Sequence, residues 1–594
     1  MSEVTVQSPA AETGTERRRL SLTVAHALLL LLVALAAVIR FTELGRIPLA
    51  PEEAQRALSV WQAWQPGAGG ISFNVSPAYF NFTSLLLPVL GDADAVMRLV
   101  PALAGVGLIL LPWFWRGRIG VTGALIASLL LAISPTASAV ARTAGGDAIA
   151  LFALLLLLTA WLRYQDGGRP AWLYTSFAAL GLGLSSAPLF LAGVATLALA
   201  WLAQAKLGPP LFAAAQGSLF LSSNGTEADQ KRLRTAALVG ATVFLAVATL
   251  FLWRPAGLAG TAALLGRWLA QFGAPTGLLA VLAPFLAFGR YELSLVILAA
   301  LVTAWSVWRG YPLPLFLVYW FVAASLLILF QPGIMANMLL LVLPGTFLVS
   351  LWLGHLFAEP LGRVAWGVTL LVVVLGSVSY FNFARHLRVI IYSPDEYSYF
   401  LLAFLALAIA VVTINFVRSW DSAAAVQGTI AGLFLLFLLY QWGTAWWLTH
   451  EAANDPRESW VTVASDASVH VMVDTMREIS RSRTGAAHDA SVLSAVDSPV
   501  LRWYLRDFEH ARFGDSLAPD PQQTMIITPV GEETGLDETY VGMDFNLLRT
   551  GVVQPEPVQA TAPGEALRWW LLHEAPTPIQ FEQVLLWVRA EAVR

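Results

Sequence analysis

The chain has 594 residues, of which 57% are hydrophobic and only 12% charged, and its formal net charge is -4. Soluble domains carry about 25% charged residues, so a soluble globular enzyme, a disordered chain and a nucleic-acid binder are excluded. Cys is absent, which removes disulfides, thiolate nucleophiles and Cys-ligated metal centres.

Residues 1–20 are polar and read as a disordered cytoplasmic tail, with Arg17, Arg18 and Arg19 just ahead of the first apolar run. Residues 21–449 read as a transmembrane domain. Runs near 20 residues are needed to cross ~30 Å of hydrocarbon, and about 13 are counted. They start near Leu22, Ala95, Gly120, Ala148, Ala171, Pro188, Thr235, Glu292, Tyr311, Met335, Val364, Tyr399 and Ala425. Residues 274–289 form a further apolar stretch, expected to be half-inserted or docked on the surface. Basic residues near span ends place the N-terminus in the cytoplasm. Arg116, Arg118, Arg163, Arg169, Lys231, Arg232, Arg234, Arg309, Arg363 and Arg418 then share that side, whereas Arg254, Arg267, Arg385 and Arg388 do not. Residues 42–92 form a long first outer loop and 205–233 a cytoplasmic loop. An odd number of spans leaves the C-terminus outside. There residues 450–594 regain Asp, Glu, Arg and Pro and alternate β-rich runs (460–465, 525–529) with a helical one (469–480), which predicts an extracytoplasmic α/β domain.

Charge is costly in hydrocarbon and therefore informative. The predicted spans are nearly free of charge at mid-depth, which argues against a coupled transporter. Acids gather at the outer boundary instead. In the first outer loop Pro51 precedes Glu52 and Glu53, followed by an amphipathic helical pattern carrying Leu58, Trp61 and Trp64. First-turn acids complement a helix dipole; the same pair also suits a general base or a cation site. Between the third and fourth spans Arg142 and Asp147 flank Gly145 and Gly146. They fit either an ion pair closing a turn or a pocket wall, with Arg for phosphate and Asp for a sugar hydroxyl or a metal. Tyr291 and Glu292 open a later span, and Arg98 lies near the start of another. The eight His are scattered without metal-ligand spacing. Asn224-Gly225-Thr226 matches a glycan acceptor motif but falls on the cytoplasmic side.

The order of these segments resembles a known family. LGRIPLAPEEAQRAL (44–58), SPAYFNF (76–82), LGDADAVMRLVPALAG (90–105) and ISPTASAVARTAGGDAIALF (133–152) follow one another as in the GT-C superfamily of membrane glycosyltransferases. The resemblance is to the protein O-mannosyltransferase-like family 39 branch, and within it to the prokaryotic flippase-activity-associated subgroup. The Tyr291-Glu292 element and segments 454–471 and 502–513 are similar to that subgroup as well.

The resemblance implies an integral plasma-membrane enzyme acting in the cell envelope, as in protein glycosylation. It would move a sugar from a polyprenyl-phosphate donor to a protein or glycan acceptor at the outer face. Glu52 would be the catalytic base and Glu53 its support. Arg142 would meet the phosphate and Asp147 a sugar hydroxyl, with Arg98, Glu292 and Tyr291 as further donor-binding candidates. No cofactor is fixed by it; a divalent cation would fall to Asp147 and Glu52. Three positions depart from the family pattern. Glu52 replaces an Asp, Val75-Ser76-Pro77 stands where a His-Gly-Pro-like element is usual, and Gly145 replaces a second Arg. These departures keep an alternative open: a non-catalytic relative that binds lipid-linked sugars or assists their flipping or assembly.

Overall fold

The computed structural model describes residues 23–65, 76–211, 227–273, 277–388, 397–461, 463–514, 522–531, 536, 539–551, 563–575 and 578–590. The N-terminal tail, Val75, Asn224-Gly225-Thr226 and much of the 205–233 loop lie outside these residues.

The helical part runs α1 (Val24–Phe41), α2 (Pro51–Gln62), α3 (Pro77–Leu90), α4 (Asp94–Leu110), α5 (Arg116–Ala132) and α6 (Pro135–Ala141). It continues with α7 (Asp147–Gly167), α8 (Pro170–Leu184), α9 (Pro188–Leu207), α10 (Glu227–Thr249), α11 (Gly257–Ala270) and α12 (Leu278–Tyr291). The last six are α13 (Leu293–Arg309), α14 (Pro312–Phe330), α15 (Leu339–Leu356), α16 (Arg363–Arg388), α17 (Tyr397–Arg418) and α18 (Ser422–Trp446). Proline opens α2, α3, α6, α8, α9 and α14. At that position its missing N–H costs nothing and its fixed φ suits the helix.

Among the described residues ten helical stretches are long and apolar enough to cross a membrane, or eleven with one bent pair counted. Three of the expected thirteen starts account for the difference. The starts at Ala95 and Gly120 fall in one stretch, Asp94–Ala132. That stretch doubles back, however, because Ser128 Oγ donates to the Ile109 carbonyl at 2.9 Å. In one straight helix those residues would stand ~28 Å apart. The turn is a 3-10 segment at Leu111–Trp115. The start at Ala171 belongs to α8, whose 15 residues reach only ~22 Å. The start at Glu292 belongs to the bent pair, α12 meeting α13 at 99°. The apolar stretch before it is thus a helix turned sharply away from its successor.

Hydrophobicity on all sides does not mean burial on all sides here, since lipid solvates apolar faces. α15 is buried almost throughout, while few side chains of α16 and α17 are fully buried. The close fit of α15 against α5 needs two glycines: a Cβ on Gly354 would stand 2.8 Å from Gly123 Cα. Small residues at such crossings let backbones approach.

The C-terminal part comprises β1 (Val463–Ser465), α19 (Ser468–Thr484), β2 (Val492–Ser494), α20 (Pro499–Tyr504), β3 (Ala511–Phe513), β4 (Met525–Pro529), β5 (Tyr540–Thr550), α21 (Pro563–Leu572) and β6 (Gln580–Arg589). Its strands form one six-stranded sheet in the order β1-β5-β6-β4-β2-β3. β2 pairs in parallel with β3 and β4, and the other pairs are antiparallel. The sheet domain docks on the helical part through α20. Asp94, at the start of α4, accepts from Trp503 Nε1 at 2.8 Å and from the Tyr504 hydroxyl at 2.5 Å. Arg506 pairs with Asp92 at 2.9 Å. The Tyr504 oxygen also accepts from Leu49 N–H at 2.8 Å. The residues leading into α2 are therefore held between the sheet domain and α4.

Candidate active site

The two acids of α2 have opposite surroundings. A helix turns by about 100° per residue, so neighbours cannot share a face. Glu53 points inward and is buried, 5% exposed. Its carboxylate receives Arg98 Nε at 3.0 Å and Nη2 at 2.6 Å, a bidentate pair. It also receives Ala144 N–H at 2.6 Å and Ala50 N–H at 3.0 Å. Burial alone would raise the Glu53 pKa, but the Arg98 charge and these hydrogen bonds hold it below the ordinary carboxylate value. Arg98 is equally occupied, donating to the carbonyls of Leu44, Ile47 and Pro48 as well. Glu53 and Arg98 thus fasten the chain before α2 to α4 and to the turn before α7.

Glu52 points outward, with 79% of its side chain exposed. It pairs with Arg56, one helical turn on, at 2.8 Å. Arg56 also donates to the Ala144 carbonyl at 2.9 Å. Three residues further along the chain Asp147 opens α7. It lies within electrostatic range of Arg56, Glu52 and Arg267, the last contributed by α11. The Asp147 carboxylate makes no hydrogen bond among the described residues. Gly146 is required for this approach, because a Cβ there would stand 2.1 Å from the Ser186 carbonyl oxygen and 2.5 Å from Ser76 Oγ. The site therefore presents Glu52, Arg56, Asp147 and Arg267 together, two acids with two guanidiniums.

Arg142 does not join them. It turns to the end of α1 and donates to the carbonyls of Ile39 at 3.0 Å, Arg40 at 3.3 Å and Thr42 at 2.7 Å. The free carbonyls of a helix C-terminus attract cations. Arg142 lines a small separate cavity of about 70 Å³ with Glu43, Glu53 and Arg98. The expected pocket wall of Arg142 and Asp147 is thus split by the turn that carries them.

Glu292 and Tyr291 lie elsewhere again. Glu292 is fully buried at the α12–α13 bend and accepts from Ser134 Oγ, from Thr136 Oγ1 at 2.7 Å and from Gln441 Nε2 at 2.8 Å. It ties α6 to α18. The Tyr291 hydroxyl donates to Glu458 at 2.7 Å, and Arg290 pairs with the same carboxylate at 3.1 Å. His573 stacks on Tyr291 from beyond α21. These contacts join the bundle to the chain leading into the sheet domain.

Arg56 and Arg267 went unrecognised in the sequence. Arg267 had left a signal, as one of four basic residues on the wrong side of the positive-inside pattern. Among the described residues one cluster with three metal-ligand groups occurs, Asp489, Glu509 and His510, exposed on the sheet domain. It includes neither Glu52 nor Asp147.

The fold, an apolar bundle carrying a sheet domain, is GT-C-like, and acids and guanidiniums gather where α2, α7 and α11 approach one another. Among solved structures the chain is similar to ArnT from Cupriavidus metallidurans bound to undecaprenyl phosphate, with TM-score 0.50 and 16% identity over 82% of this chain and 86% of that one. At that identity the likeness is one of fold. Residues 74–209 match the family described as dolichyl-phosphate-mannose-protein mannosyltransferase. Two curated Bacillus subtilis (strain 168) proteins are similar over part of the chain. "Putative mannosyltransferase YkcB" is 34% identical over 122 residues, and "Putative mannosyltransferase YycA" is 42% identical over 119. Each match spans 20% of this chain and 17% of the relative. The GT-C resemblance read from the motifs is borne out in the fold and in this segment.

Proposed function

We propose that the chain is a membrane glycosyltransferase moving a sugar from a polyprenyl-phosphate donor to an acceptor at the outer membrane face. The family match and the two relatives support a mannosyl donor, and the ArnT complex supports a polyprenyl phosphate as its carrier. One observation carries the assignment of roles: of the adjacent acids, Glu53 has its acceptor positions filled and Glu52 is open.

Glu52 takes the proton of the acceptor hydroxyl. The acceptor oxygen bonds to the anomeric carbon as the bond from that carbon to phosphate oxygen breaks, and the phosphate leaves with the electron pair. Arg56 and Arg267 meet the charge that develops on it, and guanidiniums suit phosphate oxygens geometrically. Asp147 accepts from a sugar hydroxyl. Glu53 and Arg98 are positioning residues that set where α2 stands against the turn before α7. Arg56 and Arg267 already supply cationic charge beside Glu52 and Asp147, so these residues do not call for a divalent cation.

The test is transfer by the purified full-length protein from polyprenyl-phosphate mannose. Glu52→Gln is expected to lower kcat by about 10²–10⁴-fold, the usual worth of a general base, with donor binding retained. Wild-type turnover in Glu52→Gln overturns the assignment. The Glu52–Arg56 ion pair favours one second reading, a binder of lipid-linked sugars. Tight donor binding without transfer or hydrolysis by the intact protein selects it.

A further inference from the structure

We propose that α11 lies in the plane of the bilayer, in the leaflet beside the reaction centre, with a stripe of leucines among the lipid chains. α11 has 14 residues, a length of ~21 Å, too short for ~30 Å of hydrocarbon. Its sequence GLAGTAALLGRWLA nevertheless carries a single charge, Arg267. Leu258, Leu265 and Leu269 are 40%, 47% and 55% exposed. At about 100° per residue they fall within ~40° of one another, on one line along the helix. The buried residues of α11 are Gly257, Gly260 and Leu264. They stand roughly 100–160° round from that line, toward the α3, α9 and α10 on which the helix packs.

The chain arrives at this stripe from lipid. α10, a candidate crossing, exposes Leu238 and Leu245, two turns apart on one face. Between α10 and α11 the side chains of Phe251, Leu252 and Trp253 are exposed as well. Leu250, Phe251 and Leu252 take positive φ of 50°, 55° and 71°, a left-handed turn that is rare outside glycine and persists where its surroundings hold it. Asn81 supplies part of that hold, its Nδ2 donating to the carbonyls of Val247 at 2.6 Å and Ala248 at 3.1 Å. Arg254, just past the turn, lies over the rings of Trp64, Phe80 and Trp253. Tryptophan and arginine at a span end belong at headgroup depth. α11 therefore starts at the bilayer surface, where an apolar stripe fits acyl chains. Arg267 stands about 180° round from Leu258, within electrostatic range of Asp147 and Arg56. One helix thus touches lipid on one flank and the reaction centre on the other. On the transferase reading above, on which this consequence rests, a carrier phosphate meets Arg267 without leaving headgroup depth.

The native chain has no Cys, so Leu258→Cys, Leu265→Cys and Leu269→Cys each give the full-length protein a single site for a nitroxide label. Labelled protein in phosphatidylcholine bilayers is exposed to oxygen, which concentrates in hydrocarbon, and to a water-soluble nickel chelate. Oxygen collisions are expected to dominate at all three positions, with one shared depth. A depth that changes by ~16 Å from 258 to 269, the length of that stretch of helix, means that α11 stands upright and overturns the proposal. So do nickel-dominated collisions, or shielding from both reagents as a second copy of the chain would give. Should a variant fail to fold, the wild-type protein decides: a lipid with a photoreactive acyl chain is expected to label 258–269, and no adduct there overturns the seating. Leu265→Asp is expected to raise the KM for a polyprenyl-phosphate donor about ten-fold with kcat unchanged, the mark of weakened binding. An unchanged KM overturns the link from lipid to Arg267. A protein that transfers no sugar leaves the nitroxide result standing, so this proposal and the transferase reading fail separately.

Discussion

Glu53 and Arg98 are both buried, and each answers the other's charge. Removing one partner strands the other, which costs ~3–5 kcal/mol for a buried pair. Arg98→Ala is therefore expected to lower unfolding stability by about that amount, measured by denaturant titration in detergent. Because the Glu53 pKa is lowered on folding, its contribution is present above the unfolded value near ~4.3. That contribution fades as pH falls through the folded value. Arg142→Gln is expected to loosen the end of α1, a loss of ~1.5–3 kcal/mol for hydrogen bonds from a charged group, while the donor KM stays unchanged. A large rise in donor KM would return Arg142 to the phosphate. The paired acids themselves were legible in the sequence, since Pro51 and an amphipathic run announced the helix. Which of them faces inward was not, because Arg98 comes from α4 and Ala144 from the turn before α7, both far along the chain. Arg142 and Asp147 seemed partners through spacing alone, and the backbone between them turns them apart.

At the scale of elements, the turn before α7 decides whether α2 and α7 can share a site. Gly146→Ala would push its methyl into the Ser186 carbonyl oxygen at 2.1 Å, a backbone atom with little room to retreat. It is expected to destabilise by ~1–3 kcal/mol, as overpacking does, and to reduce transfer more than Gly145→Ala. The Gly145 neighbour at 3.1 Å is the flexible end of Arg56. Equal effects of the two substitutions would count against a dedicated role for Gly146. Span starts were legible where proline opened a helix. Span counts were not, since hydropathy does not distinguish a short helix such as α8 from a full crossing. Nor does it record a 99° bend at Glu292.

For the whole molecule, the joint between bundle and sheet domain carries a titratable group. Burial, with Arg290 adding to it, lowers the His573 pKa to about 3. Glu458 lies nearby, its carboxylate 3.8 Å from His573 Nδ1. The unfolded state therefore binds more protons between about pH 3 and the ordinary histidine value of ~6.5, and stability falls as pH drops through that window. The slope has a ceiling of about 1.4 kcal/mol per pH unit. Thermal unfolding from pH 7 to 5 is expected to show this decline, and His573→Asn to flatten it. An unchanged slope in His573→Asn would place the sensitivity elsewhere. The sheet domain was legible as a change of composition, and its strands at 463–465 and 525–529 fell inside the expected runs. The four arginines that broke the charge rule held more information than those that obeyed it. Arg254 is ringed by Trp64, Phe80 and Trp253, Arg267 stands within electrostatic range of Asp147, and Arg385 and Arg388 end α16.

One carboxylate, that of Glu53, collects donors from the approach to α2, from α4 and from the turn before α7. Helices that tilt when lipid chains shorten or lengthen would then swing about a fixed knot. Turnover measured in bilayers of graded chain length should hold steady while the helices lean.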